Sequence, residues 1–157
     1  MPVAGSAVKT LVCVDDWERS VFNGRIYNPF RKNVAKVNDI MEVAYLMEDL
    51  FNQLSFPQEY FKHRTFNSAK ALPQQKKDLS KEVVRYMDDL DLEKQRGEKA
   101  TFMIQVQYRQ NATWQGTISW VERKESQHFR STLELIKLMD NAMESMSGEE
   151  EPTPTWD

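Results

Sequence analysis

A chain of 157 residues is long enough for one hydrophobic core, or for two small halves that share one. Hydrophobic residues make up 40% and charged residues 29%, with 8 Phe, 5 Tyr and 4 Trp, which excludes wholesale disorder. A formal charge of −3 excludes a global field that gathers nucleic acid or an anionic membrane, so phosphate binding requires a local basic patch.

Residues 1–8 have no basic stretch followed by an apolar core, so no signal peptide is expected. No apolar run approaches the ~20 residues needed to span a bilayer. The expectation is a soluble cytoplasmic protein. Residues 1–54 read as a first strand–strand–(strand)–helix unit. Cys13, the only cysteine, lies in the apolar run from Leu11 to Val14 and reads as a small buried hydrophobe, leaving no intrachain disulfide. Asp39 and Glu42 have capping-box spacing. Val43, Leu46, Met47, Leu50, Phe51 and Leu54 then fall on one helical stripe.

Residues 55–100 connect this unit to the next. Phe56-Pro57 ends the helix, because the residue before proline avoids the helical region. Phe61, Phe66 and Leu72 are expected to fold back onto the core. Leu79, Val83, Tyr86, Met87 and Leu90 have helical spacing within a charged stretch and predict a connecting amphipathic helix that ends near Gly97.

Residues 101–147 form the second unit, and its pattern is the clearer. Phe102, Ile104, Val106 and Tyr108 alternate with Met103, Gln105, Gln107 and Arg109, the period of a half-buried strand. A polar turn, Arg109-Gln110-Asn111-Ala112, leads to a second strand. There Trp114, Gly116, Ile118 and Trp120 face inward, and Thr113, Gln115, Thr117 and Ser119 face outward. Trp114 is therefore expected in the core. A charged turn from Glu122 to Glu125 precedes a short third strand around Gln127 to Arg130. Ser131 and Glu134 repeat the capping spacing, and Leu135, Leu138, Met139, Ala142, Met143 and Met146 repeat the stripe. Residues 148–157 are acidic and proline-bearing and read as a disordered tail.

Shifting the chain by 92 positions aligns residues 10–54 with 102–146 without a gap. Val14, Gly24, Ile26, Arg31, Lys32, Glu42, Leu46 and Met47 meet identical residues, and Phe22 meets Trp114. Such self-similarity marks a repeated supersecondary unit. One unit has too little core to stand alone. The expected fold is α+β: a duplicated ββ(β)α unit forming an antiparallel sheet with helices packed on one face, plus the connecting helix.

Candidate chemistry is sparse. Asp15, Asp16 and Glu18 cluster at a strand end, but neighbouring strand residues point to opposite faces, and the second unit has Gln107, Tyr108 and Gln110 there. His63 and His128 lack metal-ligand spacing. No glycine-rich phosphate loop is present. No catalytic residue, metal or cofactor is expected. Two binding surfaces suggest themselves. One is an outward polar face built from Gln105, Gln107, Arg109, Gln115 and Thr117. The other consists of the repeated basic pairs Arg31-Lys32 and Arg123-Lys124, aided by Arg25.

The string Tyr-Arg-Gln-Asn-Ala-Thr-Trp-Gln-Gly over 108–116, followed by Phe129-Arg130-Ser131 and by Glu-Leu-Ile-Lys-Leu-Met over 134–139, carries a resemblance. It resembles small proteins on mobile elements of Gram-positive gut bacteria, a group that includes anti-CRISPR proteins acting on Cas9-type nucleases. The resemblance covers residues 101–144, and the first unit shares only its pattern. It implies a non-enzymatic inhibitor or adaptor whose partner is a larger protein, a Cas9-type nuclease in the most specific form. The acidic run Asp88-Asp89-Leu90-Asp91 and the glutamates at 149–151 would then suit a positively charged channel. The alternative is a nucleic-acid-binding accessory protein of a mobile element, using the basic pairs.

Overall fold

The computed structural model describes residues 9–18, 21–54, 66 and 86–147. Three strands, β1 (Lys9–Glu18), β2 (Val21–Tyr27) and β3 (Ala35–Asp39), lead into α1 (Ile40–Leu54). A short helix α2 (Asp89–Glu93) follows. The same succession then recurs as β4 (Ala100–Tyr108), β5 (Gln115–Trp120), β6 (Glu125–Phe129) and α3 (Thr132–Ser147). The strands form one six-stranded antiparallel sheet in the order β3-β2-β1-β4-β5-β6. The fold is α+β. No described helix is long and apolar enough to cross a membrane.

The two halves meet where β1 pairs with β4. Leu11 lies opposite Met103, its counterpart at the 92-residue offset, so a pseudo-twofold axis passes between them. Details recur about that axis. The β1–β2 register slips between Val14 and Asp16, and the β4–β5 register slips between Val106 and Tyr108, the equivalent place. Gly24 sits opposite Val14, and Gly116 opposite Val106. A Cβ on either glycine would collide with a neighbouring strand carbonyl, that of Cys13 or of Gln105. The strands approach too closely there for any side chain.

Helix starts match as well. The Glu42 amide donates to Asp39 Oδ1 (2.9 Å), and the Glu134 amide donates to Ser131 Oγ (3.1 Å). The carboxylates of Glu42 and Glu134 reach one residue beyond the cap, accepting from the amides of Asn38 and Arg130. Each N-terminus therefore has one orphan helical donor satisfied by the cap, and the glutamate carboxylate ties down the chain just before it.

Both long helices pack on one face of the sheet. Val12, Val14, Phe22 and Ile26 join Phe102, Ile104 and Ile118 beneath Met47, Phe51, Leu135 and Met139 in a single core. Met146, read onto the buried stripe, is exposed, whereas its counterpart Leu54 is buried. The opposite face is only partly covered: Leu11, Cys13 and Leu92 form a second cluster, with Met87, Tyr27, Met103 and Val121 against it. Burial in this cluster pushes the Cys13 thiol up to about 11.

The connector differs from its sequence reading. Residues 86–88 are not helical; Asp88 is the N-cap of α2, its carboxylate accepting from the Asp91 amide. Of the expected stripe, Tyr86 and Leu90 are exposed, and the buried anchor is Leu92. A single-turn helix buries one side chain, so helical spacing over a longer window misleads here. Phe66, expected on the core, is fully exposed. Phe61, His63, Leu72, Leu79, Val83 and the tail 148–157 lie outside the described residues.

The end of the connector is clamped to β1 and β2. Asp15 accepts two hydrogen bonds from Arg25, 2.9 and 3.0 Å long, and one from the Glu98 amide. Arg25 also donates to the Arg96 carbonyl (2.8 Å). Hydrogen bonding from Arg25 holds the Asp15 carboxyl below its usual range. A depressed carboxylate adds stability above its unfolded value, about 4, and that stability is lost as pH falls through the folded value. Wild type is therefore expected to be more stable than Asp15→Asn at neutral pH, with the gap closing below about pH 4. Urea titrations across that range check this; a gap independent of pH would contradict it.

Candidate interaction surfaces

The register slip after Val106 decides where the candidate residues point. Strict alternation puts Tyr108 inward and Arg109 outward. Gln107 is the extra residue of the bulge, and one extra residue inverts the parity of everything that follows. Tyr108 accordingly pairs with Gln115 and is 52% exposed, while Arg109 turns inward and is 4% exposed. Arg109 is thus not part of the outward polar face, which corrects the reading from alternation.

Arg109 instead reaches α1 of the first half. Its Nη1 donates to Glu48 Oε1 (3.0 Å) and Asn52 Oδ1 (2.7 Å), and the guanidinium lies 5.8 Å from the centroid of the Phe51 ring. Trp114 converges on the same carboxylate, with Nε1 donating to Glu48 Oε2 at 2.6 Å. Its ring meets Phe51 edge-on, the centroids 5.6 Å apart. Between them, the Thr113 amide donates to the Gln110 carbonyl, and Asn111 and Ala112 have φ of 56° and 58°. This is the twisted two-residue turn that suits a hairpin. The Arg-Gln-Asn-Ala-Thr-Trp string is therefore a clamp: a tight turn whose two ends hold one glutamate of the other half. Trp114 is buried, as its inward register requires.

The outward face retains Gln105, Gln107, Tyr108, Gln115, Thr117 and Ser119, all partly or fully exposed. Cross-strand rungs order it. Thr117 Oγ1 lies 3.2 Å from His128 Nδ1, and Ser119 Oγ lies 2.8 Å from Ser126 Oγ. Gln115 donates to the carbonyls of Gln110 and Arg130. Sequence reading missed Ser126 and His128 as members of this face; the β5–β6 register supplies them.

The basic pairs do not come together. Arg31-Lys32 lie between β2 and β3, and Arg123-Lys124 between β5 and β6. In an antiparallel sheet of this order, those turns occupy opposite ends and opposite edges. Arg123 lies over the Trp120 ring, 4.5 Å from its centroid. Arg25 is engaged with Asp15 and the Arg96 carbonyl. Among the described residues, no three His, Cys, Asp or Glu side chains gather as a metal site.

Compared with protein-family models, curated proteins and solved structures, the chain matches none.

Removing Glu48 takes a paired carboxylate away from the buried Arg109 cation. Glu48→Ala is expected to cost about 3–5 kcal/mol. Trp114→Phe removes one charge-assisted hydrogen bond and is expected to cost about 1.5–3 kcal/mol. Urea unfolding measures both, and a Glu48→Ala cost below that of Trp114→Phe would contradict the clamp.

Proposed function

We propose that the chain is a non-catalytic module that binds a protein partner through the outer face of β4, β5 and β6. The observation that carries this reading is that face itself. Hydroxyl, amide and imidazole groups stand exposed there on a rigid ladder, with Tyr108 beside them. Flat polar surfaces with an aromatic neighbour suit protein recognition. The apolar cluster under α2 covers much of the corresponding face of the first half, so the two faces differ in what they offer. The acidic net charge and the separation of the basic pairs favour a protein over bare nucleic acid.

The most specific form of this reading is an inhibitor of a Cas9-type nuclease encoded on a mobile element, and it rests on the resemblance of residues 101–144. The clamp explains Arg109 and Trp114 without reference to a partner. Motif residues left for recognition are Tyr108 and the exposed turn Gln110–Ala112.

The test mixes the full chain with a purified, guide-loaded Cas9-type nuclease from a Gram-positive host and follows target cleavage. The expected outcome is suppressed cleavage and a stable complex, both lost when Thr117 and Ser119 are changed to Lys. Unimpeded cleavage with no complex would reject the nuclease as partner. Tight, salt-sensitive retention of bare DNA or RNA by the isolated chain would instead favour the nucleic-acid alternative.

A further inference from the structure

On the helix side of the sheet, β5, β6 and the last turns of α3 leave an open cleft of about 210 Å³. Its floor is apolar, made by Phe102, Ile118, Leu138 and Ala142, with Glu125 and Ser145 at its rim. The residue 92 positions before Ala142 is Leu50, which is buried in the core. A leucine fills space that the Ala142 methyl leaves open, and covering the apolar floor that remains is favourable by roughly 25 cal/mol per Å².

The course of the chain brings a cover to this place. Ser145 lies on the rim two residues before α3 ends at Ser147, and the sequence continues Gly-Glu-Glu-Glu-Pro-Thr-Pro-Thr-Trp-Asp over 148–157. Trp156 stands eleven residues after Ser145. At about 3.3 Å per residue such a stretch reaches roughly 36 Å, enough to leave the helix, turn and return to the cleft. The turn between β5 and β6 opens onto the same rim, because Glu125 is the first residue of β6. Arg123 and Lys124 are exposed on that turn, while Glu122 is engaged by the Thr101 amide and by Arg96. The run Glu149–Glu151 therefore leaves α3 at the end of the molecule that carries two exposed cations.

Magnitudes favour a tethered occupant over a free one. A single aromatic side chain in an open apolar cleft binds weakly, with a dissociation constant on the order of 1 mM. A short flexible tether supplies an effective concentration of about the same size, so about half of the intact chains are closed by the apolar contact alone. Attraction between the glutamates and the basic turn raises that fraction at low salt.

We propose that residues 148–157 fold back across the end of α3 and place the Trp156 indole in this cleft, with Glu149–Glu151 against the Arg123-Lys124 turn. An aromatic side chain from outside must then displace Trp156 to enter. The site lies on the opposite face of the sheet from the proposed partner surface and is independent of that reading.

The test labels the alanine and leucine methyl groups of the full chain with 13C and compares wild type with Trp156→Ser, a change outside both halves. An indole packed on a methyl group displaces its resonance through the ring current. Differences are expected at Ala142 and Leu138 and not at Leu11 or Leu50. Changing Glu149, Glu150 and Glu151 together to Lys, or raising NaCl from about 0.02 M to about 0.5 M, should cut the wild-type displacement roughly twofold. In an Ala142→Leu background the Leu138 methyl groups should no longer respond to Trp156→Ser. Identical methyl spectra for wild type and Trp156→Ser would overturn the proposal. So would a displacement untouched by charge reversal, or one that grows with chain concentration and thus reports the segment of another copy.

Discussion

The antiparallel pairing of β1 with β4 is the contact on which everything else depends. Each half alone is a three-stranded sheet with one long helix, and its innermost strand would present a bare edge. Pairing those two edges about the Leu11–Met103 axis closes both at once and makes the apolar strips of the two halves continuous. The helices then share one core. The second half also reaches across to hold α1 through Glu48, so the halves are joined by backbone pairing in the centre and by a charged clamp at one end.

Much of this architecture was legible in residue spacing. The alternation from Phe102 to Val106, the inward register of Trp114 and Ile118, the helical stripes apart from Met146 and both capping pairs stand where the pattern put them. These features are local, and period and capping are local signals. Arg109 was not legible, because nothing in the sequence marks Gln107 as an extra residue, and one extra residue reverses the face. The same slip after Val14 turns Trp17 toward the core, so a comparison of the halves offers the only available hint. The connector failed for a different reason. Tyr86 and Leu90 match a helical period but are exposed, whereas Met87 and Leu92 pack with Leu11 and Cys13. The separation of the two basic pairs depends on strand order, which no local signal encodes.

Setting the two halves side by side also shows where they differ, and the functional reading rests on those places. Under α2 the outer face of β1 is covered at Leu11 and Cys13; on β4, β5 and β6 hydroxyls and amides are left open. In the core, Leu50 fills what Ala142 leaves open. A residue whose counterpart preserves its role, such as Gly116 or Glu134, is explained by the fold. A residue whose counterpart differs in size or polarity, such as Ala142, calls for another explanation.

The central claim is that the two halves form one cooperative unit through β1 and β4. Native-state hydrogen exchange in increasing urea tests it most directly. Backbone amides of β1 and β4 are expected to exchange only through global unfolding, with free energies equal to that from equilibrium denaturation, and core amides of α1 and α3 should merge with them. Exchange of one half at a distinctly lower free energy, while the other remains protected, would contradict it.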